Sequence, residues 1–281
     1  MILVTGGTGR VGRHVVSALH EAGAPVRVLS RTPSDATVPD GVELVGGDLS
    51  SAETLEPVLR DVDAVFFIWP QPTAIDPLAA VRAITGRVGR VVYLSSSTVE
   101  DDRREQRHPM TAIHADIERA VARSGVEWTF VRVGKIASNA LYWAAQIRET
   151  RTVRLPFPEA GRSPIVESDI GEVGARALLE DGHARLTHVL SGPEALTEGR
   201  LVHIVGEAAG IAVEVDRIPS EVARAELIAQ GSSPEVADAA LALWERLVTD
   251  PEPVTPAVRD ITGSSGTTFR EWAEENAPAF R

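Results

Sequence analysis

Two hydrophobic periods alternate along the first half of the chain. Met1-Ile2-Leu3-Val4 is a short aliphatic run of strand type, and Val15, Val16 and Leu19 then carry an apolar face at helical spacing up to Gly23. The same alternation recurs. Val26 to Leu29, Val42 to Val45, Ala64 to Ile68, Val91 to Leu94 and Trp128 to Val133 read as the second to sixth strands. Between them lie a helix beginning near Ala52, a crossover helix from Ile75 to Val88, and a helix striped by Ile113, Ile117, Ala120 and Val121 and closed by Ser124-Gly125. Strands alternating with helices predict an α/β protein with a doubly wound parallel sheet.

Beyond residue 140 the pattern loosens. Pro156-Phe157-Pro158 and Pro164-Ile165-Val166 predict short extended pieces, and Asp169 is a candidate cap for a helix ending near Leu179. Thr187 to Leu190 reads as a strand. Leu201, Ile204, Val205 and Ala208 form a helical stripe, and Pro219 to Leu247 reads as two further helices. The expected organisation is a nucleotide-binding core over 1–140, with a smaller mixed C-terminal lobe over 141–281 packed on it to serve a substrate or partner.

The first strand breaks into Thr5-Gly6-Gly7-Thr8-Gly9-Arg10-Val11-Gly12. Strand, glycine turn and helix in that order open a dinucleotide-binding βαβ unit of the Rossmann fold, with strand order 3-2-1-4-5-6. Gly6 turns out of the strand, Gly9 lets backbone N–H groups approach a pyrophosphate, and Gly12 lets the helix lie close. Thr8, Arg10 and Val11 complete the expected loop. The second strand ends in Ser30-Arg31, where NAD-binding units usually carry an acid for the ribose 2′-OH. Arg31 instead suits a 2′-phosphate, so NADP(H) is the expected cofactor. Carboxyl ends of the other strands supply further candidates: Asp48 and Leu49, Ile68 and Trp69, Ser95 and Gly134. Asp48 could reach an adenine amino group or cap the next helix. Trp69-Pro70-Gln71-Pro72 is expected to wall the cofactor crevice.

Composition narrows the function classes. A net charge of −12 opposes nucleic-acid binding, which needs a basic surface. The sequence has no cysteine, so disulfides, thiolate chemistry and cysteine metal sites are excluded. No His/Asp/Glu grouping shows metal-ligand spacing, so no metal is expected. No apolar run reaches membrane-spanning length, and the chain opens directly on a strand, so a cytoplasmic protein is expected. Asp101 to Arg107 is a mixed charge run with the pattern of a solvated loop.

These motifs carry a resemblance. Thr5 to Gly12 with Arg31, Gly47-Asp48-Leu49, Ser95-Ser96-Ser97 and Ser124 through Arg132 resemble the atypical short-chain dehydrogenase/reductases, in particular the NmrA-like and NAD(P)H:quinone oxidoreductase branch. Val189 through Thr197, Val254 through Gly263 and Thr268 through Trp272 resemble the C-terminal half of that group. The Tyr-x-x-x-Lys pair of the wider superfamily is not present: Met110 and His114 occupy that spacing, and Lys135 is the only lysine. His114 with Glu118 resembles an H-x-x-x-E helix of the group, and helical spacing would let the two pair.

The resemblance implies an NADPH-dependent reductase that moves hydride to a small quinone-like or conjugated carbonyl acceptor. His114 would orient the nicotinamide end or donate a proton, or else be a surface residue paired with Glu118. Lys135 would bind an anionic substrate oxygen or simply be solvated. Trp69, Ile136, Trp143 and Phe157 are the expected apolar walls. The missing dyad also leaves open a non-catalytic NADP-binding redox sensor that engages a protein partner, and a homo-oligomer is left open too. An epimerase keeping NAD bound is disfavoured by Arg31.

Overall fold

The computed structural model describes residues 1–70 and 76–281. Gln71 and Pro72 of the expected crevice wall, and Ile75 at the start of the expected crossover helix, lie outside the described residues. In chain order, β1 (Ile2–Thr5) leads to α1 (Gly12–Glu21), β2 (Val26–Ser30), β3 (Glu43–Gly46), α2 (Ala52–Val58) and β4 (Ala64–Phe67). Then follow α3 (Pro77–Thr85), β5 (Arg90–Ser96), α4 (Pro109–Arg123) and β6 (Glu127–Val133). These strands pair in parallel in the order β3-β2-β1-β4-β5-β6, as expected.

The later chain comprises α5 (Ala144–Thr150), β7 (Thr152–Leu155), β8 (Gly161–Arg162), α6 (Glu167–Leu179), β9 (Leu186–Leu190) and β10 (Leu196–Thr197). It continues with α7 (Glu198–Ala209), β11 (Glu214–Arg217), α8 (Ser220–Ala229), α9 (Pro234–Thr249), α10 (Ala257–Thr262) and α11 (Phe269–Glu275). Strand β9 joins β6 in parallel and extends the main sheet to seven strands. Helix α6 packs along α1, and its glycines explain how closely. A Cβ at Gly171 would fall 2.7 Å from the backbone of His14, and one at Gly174 would fall 2.5 Å from the Phe66 ring. Residues on both sides of position 140 therefore build the main layer. Two small sheets stand apart, β7 with β11 and β8 with β10.

Period-two alternation sends opposite sides of each strand into two cores. Val4, Phe66, Val92 and Val131 pack beneath α1 and α6. Leu3, Val65, Phe67, Tyr93 and Phe130 pack beneath α2, α3 and α4. A parallel sheet covered on both faces reads as near-continuous apolar runs, which is why its strands are legible in sequence. Phe66 is fully buried, and truncating such a ring to alanine costs about 3–5 kcal/mol.

Two expected helix caps differ. The N-cap of α6 is Val166, not Asp169. Asp169 lies in the first turn and accepts from the Thr267 N–H (2.8 Å) and hydroxyl (3.1 Å), tying α6 to the segment before α11. Asp48 does not cap α2, whose N-cap is Ser51. Its carboxylate turns back to accept from the N–H and hydroxyl of Ser50, both at 2.8 Å.

Candidate active site

The glycine turn sits where β1 and β4 part. The Thr5 hydroxyl donates to the Ile68 carbonyl (2.9 Å) and accepts from the Ile68 N–H (2.7 Å), locking the two strand ends together. Gly6 leaves the strand at φ +63°, a left-handed conformation that favours glycine, and the Gly9 N–H closes the turn on the Gly6 carbonyl at 2.9 Å. At Gly12 a Cβ would lie 2.1 Å from that same carbonyl, so α1 begins pressed on the turn. Among the described residues no side chain caps the start of α1 at Val11, and its first turn carries no acid. The Arg13 and His14 N–H groups already bond the Gly9 and Val11 carbonyls, so among the described residues those of Arg10, Val11 and Gly12 are left to meet an anion.

The other candidates surround this turn. Thr8 and Arg10 are exposed. The Arg10 guanidinium reaches the Ser138 carbonyl at 3.3 Å and lies over the Tyr142 ring at 5.4 Å. Arg31 is exposed just past β2, near Asp48. The Ser50 bonds, with Arg31 adding its charge, hold the Asp48 carboxyl below its ordinary value. Leu49 is buried in the second core.

Trp69 and Ser95 close the carboxyl ends of β4 and β5, 5% and 2% exposed. Among the described residues, Trp69 Nε1 and Ser95 Oγ are both buried without a hydrogen-bond partner. Leaving such a group unmade costs about 1–3 kcal/mol, so two of them at neighbouring strand ends mark a place where a polar ligand or water completes the structure. A dinucleotide fits this donor set: open N–H groups for phosphates and unpaired polar atoms along the strand ends.

His114 lies on α4, with its Nδ1 2.7 Å from the hydroxyl of Tyr93 on β5. Burial pulls the imidazole pKa down to about 4, so the ring is neutral at pH 7. Burial, with the Glu118 charge, pushes the Tyr93 phenol well above its ordinary value. The expected pairing with Glu118 gives way to a stronger claim on that carboxylate. Arg132, buried on β6, donates to Glu118 through Nε at 2.9 Å and Nη2 at 2.6 Å. It also binds both oxygens of Asp101, at 2.6 and 3.1 Å. Burial pulls the guanidinium pKa down, but these two carboxylates outweigh it and raise it. A buried guanidinium needs this forked pairing. The charge run is thus anchored rather than merely solvated: besides Asp101, the Gln106 amide bonds both backbone groups of Glu100.

Lys135 is paired rather than solvated. Its ammonium donates to both oxygens of Glu198 at 2.8 Å and lies 5.0 Å from the centre of the Trp143 ring. Glu198 also accepts from Arg162 Nε at 2.7 Å, and Arg162 reaches Glu252 at 2.9 Å. Gly134 gives that last carboxylate room, since a Cβ there would lie 3.0 Å from it. Ile136 bridges to Ile165 and packs against the first core.

A cavity of about 920 Å³ opens beside these groups. His114, Gly134, Lys135, Trp143 and Phe157 line it, and Ile136 and Trp69 do not. Its outer wall is the α8–α9 pair, with Leu227, Leu243 and Trp244. Sequence reasoning missed Tyr93, Glu198, Arg162 and this wall as parts of the site. Trp244 falls within the helices expected over Pro219 to Leu247, but helical spacing alone does not say which space it faces. Among the described residues no group of three or more potential metal ligands comes together, and no helix is long and apolar enough to cross a membrane.

A seven-stranded parallel sheet with a glycine turn pressed onto an uncapped helix defines the Rossmann-type class of α/β proteins. Within that class the chain belongs to the NmrA-like family, whose profile matches residues 1–260. It is 38% identical, over all of its length and 99% of the relative's, to the (4-alkanoyl-5-oxo-2,5-dihydrofuran-3-yl)methyl phosphate reductase of Streptomyces griseus. It is 31% identical, again over all of its length and 99% of the relative's, to the NAD(P)H azoreductase of Xenophilus azovorans. The fold matches an NADPH-dependent quinone oxidoreductase of Escherichia coli with a TM-score of 0.81, at 21% identity over 98% of this chain and 99% of that one.

Proposed function

We propose that this protein is an NADPH-dependent reductase acting on a conjugated carbonyl or quinone-like acceptor held in the 920 Å³ cavity. The turn from Gly6 to Gly12 would hold the phosphates, with Thr8, Arg10 and Val11. Arg31 would take the 2′-phosphate, and Asp48 and Leu49 would border the adenine. Ile68, Trp69, Ser95 and Gly134 would follow the crevice toward the nicotinamide. When bound, NADPH supplies the hydride.

The observation that carries the acceptor class is the place of His114, packed against Tyr93 on the cavity wall where burial disfavours its charged form. A neutral imidazole on a cavity wall can donate a hydrogen bond but is a weak acid. A simple ketone becomes a strongly basic alkoxide on reduction and needs a strong acid. In a conjugated carbonyl or quinone the added electron pair rests on a far less basic enolate or phenolate oxygen, for which a hydrogen bond suffices. Lys135, held by Glu198 and stacked on Trp143, shapes the cavity floor. Phe157 and Trp244 supply apolar walls for an unsaturated ring. The Streptomyces griseus relative supports this reading, since its name describes a lactone whose ring C=C bond is conjugated with carbonyl groups.

The test is absorbance of the nicotinamide band with purified protein and NADPH, against a panel of conjugated lactones, enones, quinones and simple ketones. The reading expects turnover with the conjugated members and little with simple ketones. Firm NADPH binding with no turnover on any acceptor would replace the enzyme with the redox sensor.

A further inference from the structure

The cavity continues past the place where hydride transfer would occur. Its inner end meets Ser96 and Gly134 at the carboxyl ends of β5 and β6, where the nicotinamide would stand, so a reacting carbon belongs there. Its outer wall is the hairpin of α8 and α9, in which α9 packs against α4 and β8. A volume of about 920 Å³ stands near the top of the roughly 300–1,000 Å³ range that drug-sized ligands fill. One conjugated ring occupies only part of it.

Each helix of the hairpin turns one stripe into this space. Along α8 it is Ala223, Glu226 and Leu227, continued by Gln230 at the C-cap, and along α9 it is Ala239, Ala242, Leu243 and Arg246. Both stripes keep the i, i+3, i+4, i+7 spacing of a single helical face, which usually lies against another element. Here Leu227 and Leu243 stand half-buried at the cavity, and Ala242 is exposed to it. The buried cluster inside the hairpin is small, Ile218, Ala223 and Leu241, and two of its members, Ile218 and Ala223, also border the cavity. The polar members of the stripes are paired or terminal. Glu226 pairs with Arg154 of β7, Gln230 ends α8, and Arg246 lies in the last turn of α9. From Ala239 to Arg246 the α9 stripe advances about 10 Å at 1.5 Å per residue, the reach of an extended chain of about eight carbons.

We propose that the α8–α9 hairpin sets the substrate class by taking an alkyl tail of the acceptor. The substrate is then a conjugated carbonyl or quinone bearing a chain of about six to eight carbons, its ring at Ser96 and Gly134 and its tail along Leu227, Ala239, Ala242 and Leu243. The place of the ring rests on the reductase reading, whereas the place of the tail does not. A tail along these side chains covers the apolar surface that the hairpin leaves at the cavity, and each methylene it buries is worth about three- to fourfold in affinity.

The experiment is a series of 2-alkyl-1,4-benzoquinones from methyl to decyl, each kept below its solubility limit, with the full chain. Calorimetry in the presence of NADP+, which leaves the quinone unreduced, should show affinity rising about threefold per methylene and levelling off near about eight carbons. The heat-capacity change of binding should grow more negative over the same range. With NADPH, kcat/KM should climb in parallel. A flat calorimetric series would overturn the proposal, and so would a flat kcat/KM series in a protein that does reduce quinones. Ala242→Trp, which sets a ring in the path of the tail, should flatten the rise. A folded Ala242→Trp that keeps the parent's slope would place the tail elsewhere and overturn the proposal, and if the variant does not fold, the parent series still decides. Failure of the parent to reduce any member would instead sink the reductase reading, while the calorimetric series still decides the tail.

Discussion

The only lysine of the chain, Lys135, places its ammonium 2.8 Å from both carboxylate oxygens of Glu198, and Arg162 holds one of those oxygens from the other side at 2.7 Å. With Glu252 on Arg162, the cluster carries two charges of each sign. It balances its own charge on the wall of the cavity.

Glu198→Gln should therefore destabilise the fold by about 3–5 kcal/mol, because it leaves buried cations without their carboxylate. The urea midpoint measures this, and a loss below about 1 kcal/mol would show that the cluster is not structural. Burial pushes the Glu198 carboxyl up, but Lys135 and Arg162 outweigh it and hold the carboxyl below its ordinary value of 4.5. Its contribution to stability is thus fully present above pH 4.5 and is lost as pH falls through the lower folded value. Glu198→Gln should flatten the stability profile in that acid window.

NADPH should bind more tightly than NADH, and Arg31→Ala should remove most of the difference. A charge-assisted bond to a 2′-phosphate is worth about ten- to a hundredfold in affinity. Equal dissociation constants for the two cofactors in the parent protein, measured by titration calorimetry, would remove Arg31 from the site.

Gly9→Val should leave a folded protein that no longer binds NADPH. Among the described residues, the atom close to a Cβ at Gly9 is the Gly6 carbonyl oxygen at 3.1 Å, which a small shift accommodates, while the branched side chain would fill the approach to the pyrophosphate. Thermal denaturation and cofactor titration on the same sample check both halves. Unchanged affinity in a folded variant would contradict the placement of the cofactor on this turn.

His114 should not impose a protonation step on the rate near neutrality. Its ordinary value is 6.5 and its folded value about 4, so the ring stays neutral through the histidine range and kcat/KM should be flat there. Because that folded value is depressed, the stability linked to His114 is full above pH 6.5 and falls as pH drops through about 4. His114→Ala should slow conjugated acceptors by under about tenfold, since true general acid catalysis contributes about a hundredfold or more. A rate limb near pH 6.5 that vanishes in His114→Ala would make His114 a proton donor.

Legibility in the sequence followed locality. The six expected strands and the Gly6–Gly12 turn were readable because parallel strands buried on both faces are short apolar runs and the turn's glycines are neighbours in sequence. Strand β9 was visible at Thr187 to Leu190, but its place beside β6 was not, because pairing across more than fifty residues leaves no local period. Glu118 shows why spacing alone misleads. It lies one turn from His114, yet Arg132 on another element takes it, and a forked buried guanidinium outcompetes an imidazole that burial keeps neutral. Tyr93 read as an ordinary strand aromatic, and only the fold brings its hydroxyl to the ring of His114.

Hydride delivery to a conjugated carbon is tested most directly with NADPH carrying deuterium at both hydrogens of the nicotinamide C4. The partner is a conjugated lactone in ordinary water, and the product is read by mass spectrometry and NMR. The account predicts one deuterium on the carbon β to the carbonyl and one solvent hydrogen on the α carbon, with one NADPH oxidised per product. Product without deuterium at the β carbon, or tight NADPH binding with no oxidation on any acceptor, would contradict it.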